Sequence, residues 1–148
     1  KHSTIQTEFA SVVNVSLKPQ KTGRAFSELR CTFGDQSIIP DVSVFAWANI
    51  PRDDNGEIAN VFAIAPDWSV EILSPGQSQT LVTKKLLHCL NHGTHMGWLI
   101  DPFEQTVFVY LPGQQPQVFD QPEQDLPVPN FAQTLKLTIA SVFGWLLE

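Results

Sequence analysis

The sequence predicts an α/β (α+β) sandwich, with a mixed central sheet flanked by helices. Three observations lead there. An opening segment has the apolar spacing of a helix, three extended runs follow, and a helix, two strands and a closing helix complete the order.

In the first segment Ile5, Phe9, Val12, Val13 and Leu17 recur at steps of four, three, one and four. That spacing predicts a helix over 3–16, with Ser3 or Thr4 as its cap and Pro19 closing it. Residues 23–33 read as one strand. Gly34-Asp35-Gln36 reads as a hairpin turn into a second strand over 38–47. Residues 51–57 form an acidic loop with strong turn chemistry, and the ligand spacing of a calcium loop does not continue beyond it. The third strand is 68–73. Alternation puts Trp68, Val70 and Ile72 on one face and Ser69, Glu71 and Leu73 on the other. A helix over 78–92 is stopped by Gly93. Strands over 96–100 and 106–111 come next. Five prolines, at 112, 116, 122, 127 and 129, leave room for only a short edge strand near Val118. An amphipathic helix over 135–147, with Leu135, Ile139, Val142 and Leu146 as its stripe, closes the chain.

The 148 residues fit one domain, 1–148, able to bury about two thirds of its unfolded surface. An apolar content of 43% against 16% charged residues excludes a disordered chain. No apolar run approaches the ~20 residues of a membrane span, so no membrane partner is expected. No signal-peptide pattern is present. The chain starts at Lys1 rather than Met, and its natural amino terminus is expected to be missing. Cys31 and Cys89 are too few for a disulfide framework, which points to reduced thiols and a cytoplasmic location. The net charge of −6 disfavours non-specific binding to phosphates. Any nucleic-acid partner therefore needs a bound metal and a local basic patch, for which Lys18, Lys21, Arg24 and Arg30 are the candidates.

Two acidic motifs carry the chemistry. Asp41 stands at the entry of an apolar run, Ile-Pro-Asp-Val-Ser-Val-Phe, and Glu71 lies mid-strand between Val70 and Ile72. Ionised side chains are rarely buried unless paired or bound to a metal. Each acid also has a simpler reading, Asp41 as a turn cap and Glu71 on a solvated sheet face, although apolar Leu73 shares the face of Glu71. On the following helix, at roughly 100° per residue, Val82, Leu86, Cys89 and Leu90 form the packing arc. Lys85 sits at its edge, while Lys84 points to solvent. Asp41 and Glu71 are expected to converge at one edge of the central sheet, with Lys85 in reach. A rival cluster is His88, Cys89, His92 and His95. His88 and His92 share a helix face suited to zinc, but lack the intervening glutamate of the zincin pattern. The four tryptophans are expected in the core.

Pro40-Asp41-Val42-Ser43-Val44, then Val70-Glu71-Ile72-Leu73-Ser74-Pro75, then Gly93-Thr94-His95-Met96-Gly97-Trp98-Leu99-Ile100-Asp101-Pro102 together resemble the Uma-type endonuclease family. That family was first catalogued as a domain of unknown function and belongs to the PD-(D/E)XK, restriction-endonuclease-like superfamily. The resemblance is closest over 39–111. It implies an αβββαβ core, acids at Asp41 and Glu71, and the main-chain carbonyl of Ile72 as a further metal ligand. Leu73 occupies the superfamily's usual lysine position, and matching to the family places the lysine on the next helix, at Lys85. Leu81 stands where the family often has an aspartate, and Glu28 is a candidate additional acid.

The resulting expectation is a magnesium- or manganese-dependent endonuclease acting on nucleic acid, with DNA the favoured substrate. A homodimer is the arrangement that cutting both strands favours. The rivals are a nuclease-like fold kept as a non-catalytic binding module, and a small zinc protein built on His88, Cys89 and His92.

Overall fold

Ile5, Phe9, Val13 and Leu17 fall on one stripe of helix α1 (His2–Leu17), and all four are fully buried. They cover a face of the sheet made by Trp68, Val70 and Ile72 of β5 (Trp68–Ile72) and Trp98 and Ile100 of β6 (Met96–Asp101). Phe9 meets Trp68 edge-on at 5.3 Å between ring centroids and Trp98 at 5.5 Å, and the two indoles lie 5.0 Å apart. Such aromatic contacts add about 0.5–1.5 kcal/mol each beyond area burial. The computed structural model describes residues 1–148.

The main sheet has six strands. In spatial order they are β1 (Gly23–Ser27), β4 (Val42–Ala46), β5, β6, β7 (Thr106–Tyr110) and β8 (Gln117–Phe119). Only β5 and β6 run parallel, joined by helix α2 (Gln79–Leu90) as the crossover. Every other neighbouring pair is antiparallel. The sheet is therefore mixed, with α1 on one face and α2 on the other. The core order, α1, β1, β4, β5, α2, β6, is the expected αβββαβ.

Two long strands expected from the sequence are each divided. β1 stops at Ser27 because Glu28 takes a left-handed backbone, φ 51°, which ends the ladder. The rest of that run becomes β2 (Cys31–Phe33), hairpinned to β3 (Gln36–Ile38) as a separate two-stranded sheet. β4 starts only after Pro40, which has no N–H for a ladder bond. The closing helix is also shorter than its stripe implied. Leu135 and Leu137 are buried from an irregular segment, and the Leu137 carbonyl accepts from the Leu126 N–H. Helix α3 spans only Ile139–Gly144, opened by a reciprocal Thr138–Ser141 cap. Trp68, Trp98 and Trp145 are buried as expected, while Trp47 is half-buried under Arg52.

Gly34, at φ +54°, makes the β2–β3 turn directly under His92. A Cβ there would sit 2.3 Å from the His92 Nε2. Gly34→Ala is expected to cost about 2 kcal/mol, mostly left-handed strain with some clash. Denaturant midpoints check it. Adding His92→Ala should recover the clash but leave the strain.

On the second face, α2 presents Val82 and Leu86 to Leu73 and Leu99. It can lie close because Gly97 of β6 offers no side chain. A Cβ at that position would be 3.1 Å from the Leu86 Cδ2.

Candidate active site

Asp41 immediately precedes β4 and Glu71 lies near the end of β5. The Val42–Val70 pairing brings the two acids side by side. They meet at the carboxyl end of β5, between interior strands, and not at a lateral edge of the sheet as expected. Carboxyl ends of parallel strands are where open α/β sheets place their ligands.

Each acid's carboxylate accepts a backbone N–H from the segment that carries the other. The Asp41 Oδ2 accepts from the Ile72 N–H at 2.7 Å, and the Glu71 Oε2 accepts from the Asp41 N–H at 3.3 Å. Lys85, in the second turn of α2, donates from Nζ to the Glu71 Oε1 at 2.9 Å and to the Ile39 carbonyl at 3.2 Å. Lys84 is exposed. The structure therefore brings Asp41, Glu71, Ile72 and Lys85 together.

Burial differs sharply across the group. Glu71 is 1% exposed, while the Asp41 side chain is 16% and the Lys85 side chain 32% exposed. Burial pushes the Glu71 carboxyl up to about 7. Lys85 opposes the rise by favouring the charged form, and the nearby charge of Asp41 adds to it. Leu73 is buried against Val82, Leu86 and Leu99, so a lysine there would have to leave the packing to reach the acids.

Sequence reasoning missed part of the group. The His2 Nε2 lies 3.1 Å from the Asp41 Oδ1, and Gln6 donates from Nε2 to the Asp41 carbonyl at 2.9 Å. The four-residue step from His2 to Gln6, beside the apolar stripe of α1, was the available signal. Glu28 contributes its N–H, 3.2 Å from the same carbonyl, while its own side chain is exposed.

Two members of the expected basic patch stand away from the acids. Lys18 and Lys21 follow the far end of α1, about 20 Å from its first turn at 1.5 Å per residue. Arg24 lies over the Phe26 ring. The zinc cluster is not assembled. The His88 Nε2 lies 3.1 Å from the Phe33 carbonyl, and the His92 Nδ1 is 2.8 Å from the His88 carbonyl. Cys89 is buried on another side of the helix, its Sγ directed at the Ser69 Oγ at 3.8 Å. Burial pushes the thiols of Cys31 and Cys89 up to about 11 each. No three His, Cys, Asp or Glu side chains come together as a metal site anywhere in the chain.

A cleft of about 530 Å³ opens at the other end of β5, lined partly by Phe33, Asn49, Asp67 and His92. None of the converging residues lines it. Asp67 there accepts from the Ala46 N–H at 2.7 Å and from Asn49 at 3.0 Å, the bonding of a structural cap.

This sheet order, with two acids side by side at the strand ends, is that of the restriction-endonuclease-like class. The chain belongs to the Uma2 family, whose model, described as "Putative restriction endonuclease", matches residues 1–140. It is similar to the crystal structure of a putative nuclease belonging to DUF820 from Anabaena variabilis ATCC 29413. The two share 65% identity and superpose with a TM-score of 0.97, over 98% of this chain and 81% of that one. No curated protein matches the chain. No helix is long and apolar enough to cross a membrane.

Proposed function

We propose that the protein is a magnesium- or manganese-dependent endonuclease that hydrolyses phosphodiester bonds in DNA. One observation carries the reading: two carboxylates are joined through a single strand pairing, and Lys85 is held 2.9 Å from the buried one. This donor set fits a hard dication, because carboxylate and carbonyl oxygens suit magnesium and manganese. With only two acids present, the remaining ligands would come from the Ile72 carbonyl, water and substrate oxygens. Bound there, the ion would lower the pKa of a water and offset charge on the phosphate.

The chain's own residues do the rest. Asp41 and Glu71 would hold the ion, with the Asp41 carboxylate oriented by the Ile72 N–H. An ammonium has three donor hydrogens. Lys85 commits two of them, to Glu71 and Ile39, and the third is left for the attacking water or a phosphate oxygen. Because Lys85 is anchored by the first two, it is preorganised where negative charge develops. The lysine from α2 thus takes the part that Leu73 cannot. A cytoplasmic location and a dimer cutting both strands accompany this reading.

A plasmid-cleavage assay tests it. The chain should nick or cut with magnesium or manganese and stop with a chelator. Asp41→Ala should lose both cleavage and manganese binding by calorimetry. The rate should fall steeply with salt, since a chain of net charge −6 has little electrostatic affinity in reserve. Leu73 favours a second reading, a nuclease-like fold retained as a binding module. Intact manganese binding without cleavage of any nucleic acid would select it.

A further inference from the structure

Asp41 lies one residue outside β4, beyond the ladder bonds of that strand. Contacts from elsewhere hold it instead. Its Oδ2 takes the Ile72 N–H, and its carbonyl takes both the Gln6 amide and the Glu28 N–H. The remaining oxygen, Oδ1, faces the His2 Nε2 at 3.1 Å. His2 and Gln6 are four apart on α1 and share a face, so one helix turn grips both the side chain and the main chain of the acid. That turn is fixed in turn by Ile5 and Phe9, both fully buried in the core.

We propose that His2 is a positioning residue of the metal site, an inference that rests on the nuclease reading above. An ionised carboxylate only accepts, so the Nε2 facing it carries the proton and donates. That bond and the Ile72 bond together fix the plane of the carboxylate. Each carboxylate oxygen has two lone pairs, so Oδ1 keeps one for the cation while His2 holds the other. Gln6 and the buried stripe already anchor the helix, which leaves orientation of the carboxylate as the distinct contribution of His2. Partners of this kind behind a metal ligand affect metal affinity by about 10–100-fold.

The test is manganese titration by calorimetry on the full chain at pH 8, with unfolding temperatures measured alongside. His2→Ala should weaken manganese binding about tenfold or more while the fold survives. His2→Gln places an amide N–H where Nε2 stood, and should keep affinity within about threefold of wild type, because only the donor is required. Two results overturn the inference alone, provided Asp41→Ala abolishes binding. One is His2→Ala binding as wild type does. The other is His2→Gln binding as weakly as His2→Ala, since an amide cannot replace an imidazole that ligates the ion or moves a proton. A wild type that binds no manganese overturns this inference and the metal-site reading together.

Discussion

Glu71→Gln is expected to abolish cation-dependent cleavage, by about a thousandfold or more, and also to stabilise the protein above pH 7. The loss follows from removing a charge that the cation needs while keeping the side chain's size. The stability gain follows from burial. Raising this carboxyl from 4.5 to about 7 means the folded state binds the proton more tightly than the unfolded chain. Wild-type stability therefore falls as pH rises from about 4.5 to about 7, then levels off. A shift of that size is worth about 3 kcal/mol by pH 8. The amide escapes this loss but leaves the Asp41 N–H without its acceptor, at about 1 kcal/mol. A net gain of about 2 kcal/mol is expected at pH 8, and no gain near pH 4. Urea unfolding in metal-free buffer at both pH values measures it. Equal pH slopes for variant and wild type would show that Glu71 keeps an ordinary carboxyl pKa, and wild-type cleavage by the variant would move the reaction elsewhere.

Lys85→Ala is expected to lose about a hundredfold or more in cleavage rate, with Lys84→Ala close to wild type. Its effect on stability runs opposite to that of Glu71→Gln. Removing Lys85 leaves the buried carboxylate without its cation, which costs about 2–3 kcal/mol where Glu71 would be charged. Lys85 holds the Glu71 pKa down, so in the variant Glu71 keeps its proton to a higher pH than the wild-type value of about 7. The variant's stability thus goes on falling above pH 7, where the wild type has levelled off. Below pH 5 both proteins hold a neutral Glu71, and the difference closes. Combining Lys85→Ala with Glu71→Gln should cost less than Lys85→Ala alone, because no buried charge remains to be stranded. An additive double variant would mean that the 2.9 Å contact carries no coupling.

The sequence was most informative where a residue's neighbours share one periodicity. The alternation of β5 placed Glu71 opposite the Trp68–Val70–Ile72 core face, and the helical angle singled out Lys85 over Lys84. The divided strands were harder to read. Nothing in Ser-Glu-Leu announces that Glu28 takes a left-handed backbone, a choice made by tertiary contact when its N–H finds the Asp41 carbonyl. The closing helix failed for a related reason. The spacing of Leu135 and Ile139 suits a helix, but the segment pairs instead through Leu137 with Leu126. His2 was overlooked because its spacing to Gln6 marks only a shared helix face, while the acid that face meets lies 39 positions away.

The close seating of α2 over Gly97 makes the helix a lever whose height above the sheet is set beside the residue that reaches Glu71. A bulky side chain at 97 would act as a shim, lifting Leu86 and with it the neighbouring Lys85. Reach to Glu71 would then shorten or fail without a single reacting group having been altered. In a saturation screen for lost function, a position that touches neither acid would therefore score with the acids themselves. Such a scan would map the thickness of the molecule as faithfully as its chemistry.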